Sequence, residues 1–354
     1  MRVAYFGTYE RHYPRNAQVI SALRTAGVEV LERHEPVWEG QEQKWGVGVA
    51  ALPRLFRAEL RLARRGAPEA DAIIVGYPGH LDLLAARHAA RGRPVIFNPL
   101  VSLADTLIGD RGRFRHGSPA DGLLTALDRR AFRAADLVVA DTRANADFFA
   151  DLAELPPERI AVAFVGAEER LFRPGWAPEE PFTAIFVGKL IPLHGLETIL
   201  AAATLVPEIA FRVIGSGQLE GLLKARPANV EWIRWVEYDR LPRELHRSGC
   251  ALGIFGTSGK ARRVIPNKAY QALACGAPLV TADTPAAREL LTGGADAVLV
   301  PPGDPEALAA AIRRLAENQE LAAQIGAGGL STYRAQASEE VLGRHWRTLV
   351  EGLL

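Results

Sequence analysis

Residues 258–290 read SGKARRVIPNKAYQALACGAPLVTADTPAAREL, and the organisation of the whole chain follows from them. Proline has no backbone N–H, so Pro266 fits the first turn of a helix, where that donor would lack a partner anyway. From Asn267 the run NKAYQALA is rich in helix formers, and Gly276 after Cys275 supplies the left-handed residue that ends a helix. Pro278 forbids continuation, and residues 279–281 read as a short buried strand. Lys260, Arg262, Arg263 and Lys268 therefore crowd a helix start, where free N–H groups and the dipole favour an anion. A phosphate-bearing ligand and a solvated basic loop both fit that run.

At 354 residues the chain exceeds one comfortable hydrophobic core, so two domains are expected. Apolar residues make up 48% and charged residues 23%, as in ordinary globular proteins. A net charge of +1 speaks against a dedicated nucleic-acid binder. Cys250 and Cys275 are too few for a disulfide framework or a zinc site, and suit a reducing compartment. The opening MRVAYFGTY enters a strand with no signal peptide, and no run approaches the ~18 apolar residues of a membrane span. The expected location is cytoplasmic.

Before this stretch, strands and helices alternate. Residues 2–6, 28–31, 72–75, 95–97, 137–140 and 160–162 read as strands, with a helix at 16–26 stopped by Gly27. The proline-bracketed PGWAPEEP at 174–181 suits a stiff linker, after which the alternation restarts. Strands are expected at 183–187, 211–214, 230–233, 251–255, 279–281 and 297–300, with a helix at 196–204. This is an α/β pattern: parallel sheets with helices on both faces, and ligands at the carboxyl ends of the strands. Gly7, Gly76, Tyr77, Asn98, Asp105, Gly188 and Lys189 stand at such ends, and Gly215-Ser216-Gly217 alone is a weak dinucleotide signal. Two such domains place a cleft between them for a ligand.

FVGKLIPLHGLETIL, FRVIGSG, PNKAYQALACGAPLVTADTPAARELL and VLVPPGDPEALAAAI, in that order, resemble the C-terminal half of group 1 (family four) glycosyltransferases. VGAEERLFRP at 165–174 resembles the crossing into that half. The resemblance implies the GT-B architecture, two Rossmann-like domains with parallel sheets facing each other across a cleft. It divides the chain into an acceptor-binding domain at 1–173, the linker at 174–181 and a nucleotide-sugar-binding domain at 182–337. A final helix at 338–354 would cross back to the first domain. The implied activity is retaining transfer of a sugar from a nucleotide-diphosphate donor to a glycan, lipid-linked or small-molecule acceptor, with no cofactor.

Carried over by position, the family's basic pair at the donor diphosphate falls on Lys189 and His194, with Gly188, Gly215 and Gly217 beside them. A neutral histidine can still donate one hydrogen bond. The two family glutamates fall on Arg263 and Gln271, the second holding the ribose hydroxyls through its remaining carbonyl acceptor. Lys189, Arg263 and Lys268 would stabilise the charge that develops on the leaving diphosphate. Lysine is scarce, five in the whole chain, yet Lys189, Lys260 and Lys268 all fall in this region. Pro266 and Asn267 would approach the donor, and Glu289 would contact its sugar or pair with Arg288. Asp105 is a candidate on the sugar or acceptor side, with Arg111 near it, or else a helix cap. Gly7, Tyr9, Arg15, Tyr77 and Asn98 are expected on the acceptor side. No DxD pair stands where a metal-bridged diphosphate requires it, so no metal ligands are expected.

Residues 52–66 carry Arg54, Arg57, Arg61, Arg64 and Arg65 among Leu55, Phe56, Leu60 and Leu62, with Trp38 and Trp45 upstream. That pattern suits peripheral contact with an anionic membrane, or an ordinary helix packing its leucines on the first sheet. Two other functions stay open: a nucleotide-sugar epimerase of the same architecture, which would need an acid/base carboxylate or histidine beside the sugar, and, from the departures at 263 and 271, a binding protein that transfers nothing.

Overall fold

The computed structural model describes residues 1–11, 13–37 and 52–354. The chain divides into two compact units, one of residues 1–165 and 339–354, the other of residues 166–338. Trp38 and Trp45 lie outside the described residues.

The first unit alternates β1 (Arg2–Gly7), α1 (Pro14–Thr25), β2 (Glu29–His34), α2 (Leu52–Arg65), β3 (Ala72–Val75) and α3 (Asp82–Ala90). It continues through β4 (Val95–Phe97), α4 (Pro119–Ala134), β5 (Leu137–Ala140), α5 (Arg143–Ala153) and β6 (Ile160–Val162). The strands form one parallel sheet in the order β2-β1-β3-β4-β5-β6. Alternate residues of each strand serve opposite faces, as a period of two requires. Phe6, Val75, Phe97 and Val138 pack with Leu62, Leu83, Phe132 and Phe149. Tyr5, Ile74, Ile96 and Val139 pack with Val19 and Leu23 on the other side.

The second unit runs β7 (Thr183–Val187), α6 (Leu196–Leu205), β8 (Ala210–Ile214), β9 (Val230–Ile233), α7 (Leu241–His246) and β10 (Cys250–Leu252). It then runs α8 (Asn267–Cys275), β11 (Leu279–Ala282), α9 (Pro285–Leu290), β12 (Val298–Val300), α10 (Pro305–Glu317) and α11 (Gln319–Gln336). Its parallel sheet has the order β12-β11-β10-β7-β8-β9. Phe186, Val213, Leu252 and Val280 form its core with Leu196, Ile199, Leu308 and Ile312. The strand expected at 251–255 stops at Leu252; just beyond it the Ile254 N–H turns to the Thr281 hydroxyl at 3.3 Å instead of a strand carbonyl.

Residues 174–181 do not stand apart as a linker. Gly175 and Trp176 donate their N–H groups to the Cys275 carbonyl, and Ala177 donates to that of His246. The last helix, α12 (Glu339–Glu351), belongs to the first unit and packs on α1. Trp346 and Val350 join the β-sheet core there, and a Cβ on Gly343 would come within 2.2 Å of the Ala22 carbonyl oxygen.

Candidate functional site

The strand ends of the second unit are joined through their backbones. Gly188, at φ 147°, follows β7 and donates its N–H to the Ile214 carbonyl at 2.9 Å. Leu190 N–H reaches Ser216 O at 3.0 Å, and Leu219 N–H reaches Leu190 O at 2.9 Å. A Cβ on Gly215 (φ 147°) would sit 1.9 Å from the Gly188 carbonyl oxygen, so only glycine permits this approach. Gly217 is held in the same way over Leu190.

Above this floor α8 begins. Pro266 is its N-cap, at φ −73° and ψ 150°, one position before the first turn that the sequence suggests. Proline offers no capping side chain, and among the described residues no side chain caps the helix start. Asn267 opens the helix, and Lys268 is its second residue, with Gly276 closing it at φ 73°. The Lys268 side chain turns inward over the end of β7. Its Nζ lies 3.7 Å from the Phe186 ring centre and 3.0 Å from where a Cβ on Gly188 would stand. Nζ is buried with no hydrogen-bond partner among the described residues, and loss of water drives its pKa well below the usual lysine range.

His194 packs edge-on against Phe186, with ring centres 5.5 Å apart, and its Nδ1 meets the Lys189 carbonyl. A carbonyl only accepts, so Nδ1 carries the proton. The expectation that a neutral His194 donates to a phosphate is therefore overturned: its one N–H is already engaged, and only the imidazolium has a second. Lys189 itself is exposed at the strand end. Arg263 is half-buried, its Nη1 3.0 Å from where a Cβ on Gly259 would stand.

Gln271, one turn below Lys268, is buried and donates from Nε2 to the Tyr238 hydroxyl at 3.2 Å. Tyr238 stands edge-on to Phe172, with ring centres 5.6 Å apart. Glu289 lies half-buried on α9, but Arg288 does not pair with it; Arg288 is bound by both oxygens of Asp283, at 2.5 and 2.6 Å. Tyr238 and Phe186 escape a reading from sequence, because an aromatic in a strand or a short loop reads as core.

The first unit corrects several expectations. Arg15 is fully buried, donating to Asn98 Oδ1 at 2.7 Å and to the Ala163 and Phe164 carbonyls at 2.8 and 2.9 Å. Arg15 and Asn98, expected to face an acceptor, are instead buried and bound to each other. Tyr9 is buried with its hydroxyl on Glu32 at 2.8 Å. Tyr77 is buried too, its N–H on Asn16 and its ring 4.5 Å from that of Tyr13. Gly7, at φ 129°, lets Asp82 approach, and that carboxylate takes the Thr8 N–H at 2.7 Å. Asp105 is no helix cap, since Ser102 accepts its N–H at 3.0 Å, and Asp128 in turn takes the Ser102 hydroxyl at 2.6 Å. Beside Asp82, both oxygens of Glu59 are buried, and burial followed by the Asp82 charge pushes that carboxyl far up.

On α2, Leu55 and Leu62 are buried, while Phe56 is 65% and Leu60 41% exposed. Arg61 and Arg65 bind Glu35 at 2.7 and 3.0 Å, leaving Arg54 and Arg57 on the exposed face. Among the described residues no three His, Cys, Asp or Glu side chains cluster as metal ligands would. No helix there is long and apolar enough to cross a membrane.

Comparison with known proteins gives a consistent picture. The D-inositol 3-phosphate glycosyltransferase 1 of Catenulispora acidiphila is 27% identical over 361 residues, covering 92% of this chain and 80% of that protein. Sucrose-phosphate synthase from Thermosynechococcus elongatus superposes with a TM-score of 0.78 at 14% identity, over 99% of this chain and 98% of the other. Anabaena HepE, solved with UDP-glucose, superposes at 0.74 and 16% identity over the full length of both. These likenesses establish the GT-B fold of two parallel α/β units. The glycosyl transferase 4-like domain matches residues 6–166, and glycosyl transferases group 1 matches residues 181–318. The chain therefore belongs to the group 1 glycosyltransferases and is an enzyme of that family.

Proposed function

We propose that this enzyme transfers a sugar, with retention of anomeric configuration, from a nucleoside-diphosphate sugar held on the second unit. The observation that carries the reading is Lys268: a buried amine without a hydrogen-bond partner, aimed past an uncapped helix start at a glycine strand end. Such a group is costly to leave unmatched, and a diphosphate supplies the missing negative charge. The uncapped N–H groups of α8 add their partial charge at the same place. Lys189 and Arg263 contribute cations around the leaving group, and its stabilisation is where rate is gained. The reaction uses no cofactor and no metal, the basic groups serving in a metal's place.

The acceptor is a glycan, a lipid-linked sugar or a small molecule. Inositol 3-phosphate is the first to try, since Catenulispora acidiphila supplies a relative named for it. UDP-glucose is the first donor to try, as the sugar nucleotide bound to HepE. Phe56 and Leu60, exposed beside Arg54 and Arg57, support peripheral contact between α2 and an anionic membrane. A thermal-shift panel of UDP, GDP, ADP and TDP tests the donor reading, since only a ligand bound by the folded state raises the midpoint. One nucleotide should raise it for the wild type and not for Lys268→Met. A panel with no shift at all refutes the donor site. The anomeric coupling in the NMR spectrum of the first-formed product tests retention.

A further inference from the structure

Gln271 presents a problem of direction. A carboxylate at that position would offer two equivalent acceptor oxygens, whichever way it rotated. A carboxamide offers one acceptor and one donor end, and turning it over replaces acceptance with donation. If the buried amide is to accept from a ligand's hydroxyls, something must hold it one way round.

Tyr238 is placed to do so. Its hydroxyl is met by Gln271 Nε2 at 3.2 Å, and among the described residues this is the one hydrogen bond the Gln271 side chain makes. The phenol ring is pinned edge-on by Phe172. Burial, and next the charge of the neighbouring Glu168 carboxylate, itself bonded by Arg170 Nε at 2.6 Å, disfavour ionisation of the phenol. A phenol whose O–H is drawn toward a carboxylate has only its lone pairs to turn to the amide, so the amide must arrive N–H first. The carbonyl oxygen Oε1 then points away from Tyr238. Lys268 and Gln271, three residues apart, share one helix face.

We propose that Tyr238 is a positioning residue that fixes the Gln271 carbonyl as the acceptor for the ribose hydroxyls of the donor nucleotide. This rests on the nucleoside-diphosphate reading above. An oxygen with two lone pairs accepts from two neighbouring hydroxyls, so one oriented carbonyl matches a ribose, and a deoxyribose leaves half of it unused. Tyr238 acts through Gln271 and does not itself touch the ligand.

The test is calorimetric. Wild type, Tyr238→Phe and the double variant Tyr238→Phe/Gln271→Glu are titrated with whichever of UDP, GDP and ADP binds most tightly, with its 2′-deoxy counterpart, and with inorganic pyrophosphate. The wild type should prefer the ribonucleotide by roughly tenfold, the scale of one hydrogen bond. Tyr238→Phe should lose most of that preference while keeping its pyrophosphate affinity. The glutamate of the double variant, with an acceptor at both ends, should restore it. Tyr238→Phe with its ribose preference intact overturns the proposal. So does a parallel loss of pyrophosphate affinity, which would mean that the phenol merely supports the fold. A wild type that binds both nucleotides equally defeats the proposal and leaves the donor site standing. One that binds pyrophosphate and no nucleoside diphosphate defeats both.

Discussion

The Lys268 amine lies over the face of the Phe186 ring, 3.7 Å from its centre. A cation in that place gains from the ring's negative face, but with no hydrogen-bond partner among the described residues it remains poorly compensated. Lys268→Met keeps the length of the side chain and removes the amine. The variant should unfold at higher denaturant, by about 1–2 kcal/mol. Nucleoside-diphosphate affinity should fall by about 1–3 kcal/mol. The stability gain has a definite sign with pH. A lysine depressed in the fold leaves the unfolded chain holding more protons, so the penalty is greatest in acid and fades toward the ordinary lysine pKa. Denaturation at several pH values measures the trend, and a gain that grows with pH would contradict it.

The same depressed amine should make binding take up a proton. Lys268 must be charged to hold a diphosphate, and the ligand's charge raises its pKa again. Affinity should therefore fall as pH rises, by at most about tenfold per unit. Titration in two buffers of different ionisation enthalpy counts the protons, and an uptake near zero across the neutral range would show Lys268 already charged in the free protein.

Glu59 and Asp82 give a second pH dependence, of the opposite sign. Glu59 is pushed up, so the folded state holds its proton where the unfolded chain has released it. That contribution is full in acid and declines as pH climbs from the ordinary carboxylate range toward alkaline values. Glu59→Gln, neutral throughout, should match wild type in acid and exceed its thermal midpoint above neutrality. Parallel curves across that range would sink the idea.

Gly215→Ala brings a methyl group against the Gly188 carbonyl at 1.9 Å, at a φ that L residues rarely adopt. Neither backbone can yield without breaking the strand-end pairing, and a loss above about 2 kcal/mol is expected. Gly221→Ala, whose Cβ would meet nothing within 4 Å, is the control. Equal urea midpoints for the two variants would show the approach to be soft.

Transfer should survive exhaustive chelation near its starting rate, because the basic groups take the role of a bridging metal. Complete loss, restored by magnesium or manganese, would reveal ligands still unidentified.

The alternation of strands and helices was legible because each element carries its own punctuation. Gly276 and Pro278 end α8 and begin β11 where local rules place them. The strand expected at 251–255 ends at Leu252, and the partner that the Ile254 N–H finds just beyond it, the Thr281 hydroxyl, lies nearly thirty residues away in sequence. The same reason limits the acceptor-side reading. A strand-end rule selects Tyr9, Arg15, Tyr77 and Asn98, but whether such residues face a ligand or one another depends on partners distant in sequence. Lys268 is a candidate legible from sequence, because a lysine at a helix start is a local signal; Tyr238 is not, because its meaning lies in Gln271.

The return of α12 to the first unit sets an order of assembly. All of residues 166–338 precede α12 along the chain and form a unit of their own, so their core can close without the helix that the first unit needs. Until Trp346 arrives, the apolar face of α1 and the buried Arg15 beneath that indole stay uncovered. The half of the protein made first is thus the last to be finished. A released chain truncated before Glu339 should expose that face to chaperones and proteases, while residues 166–338 keep their own protected core.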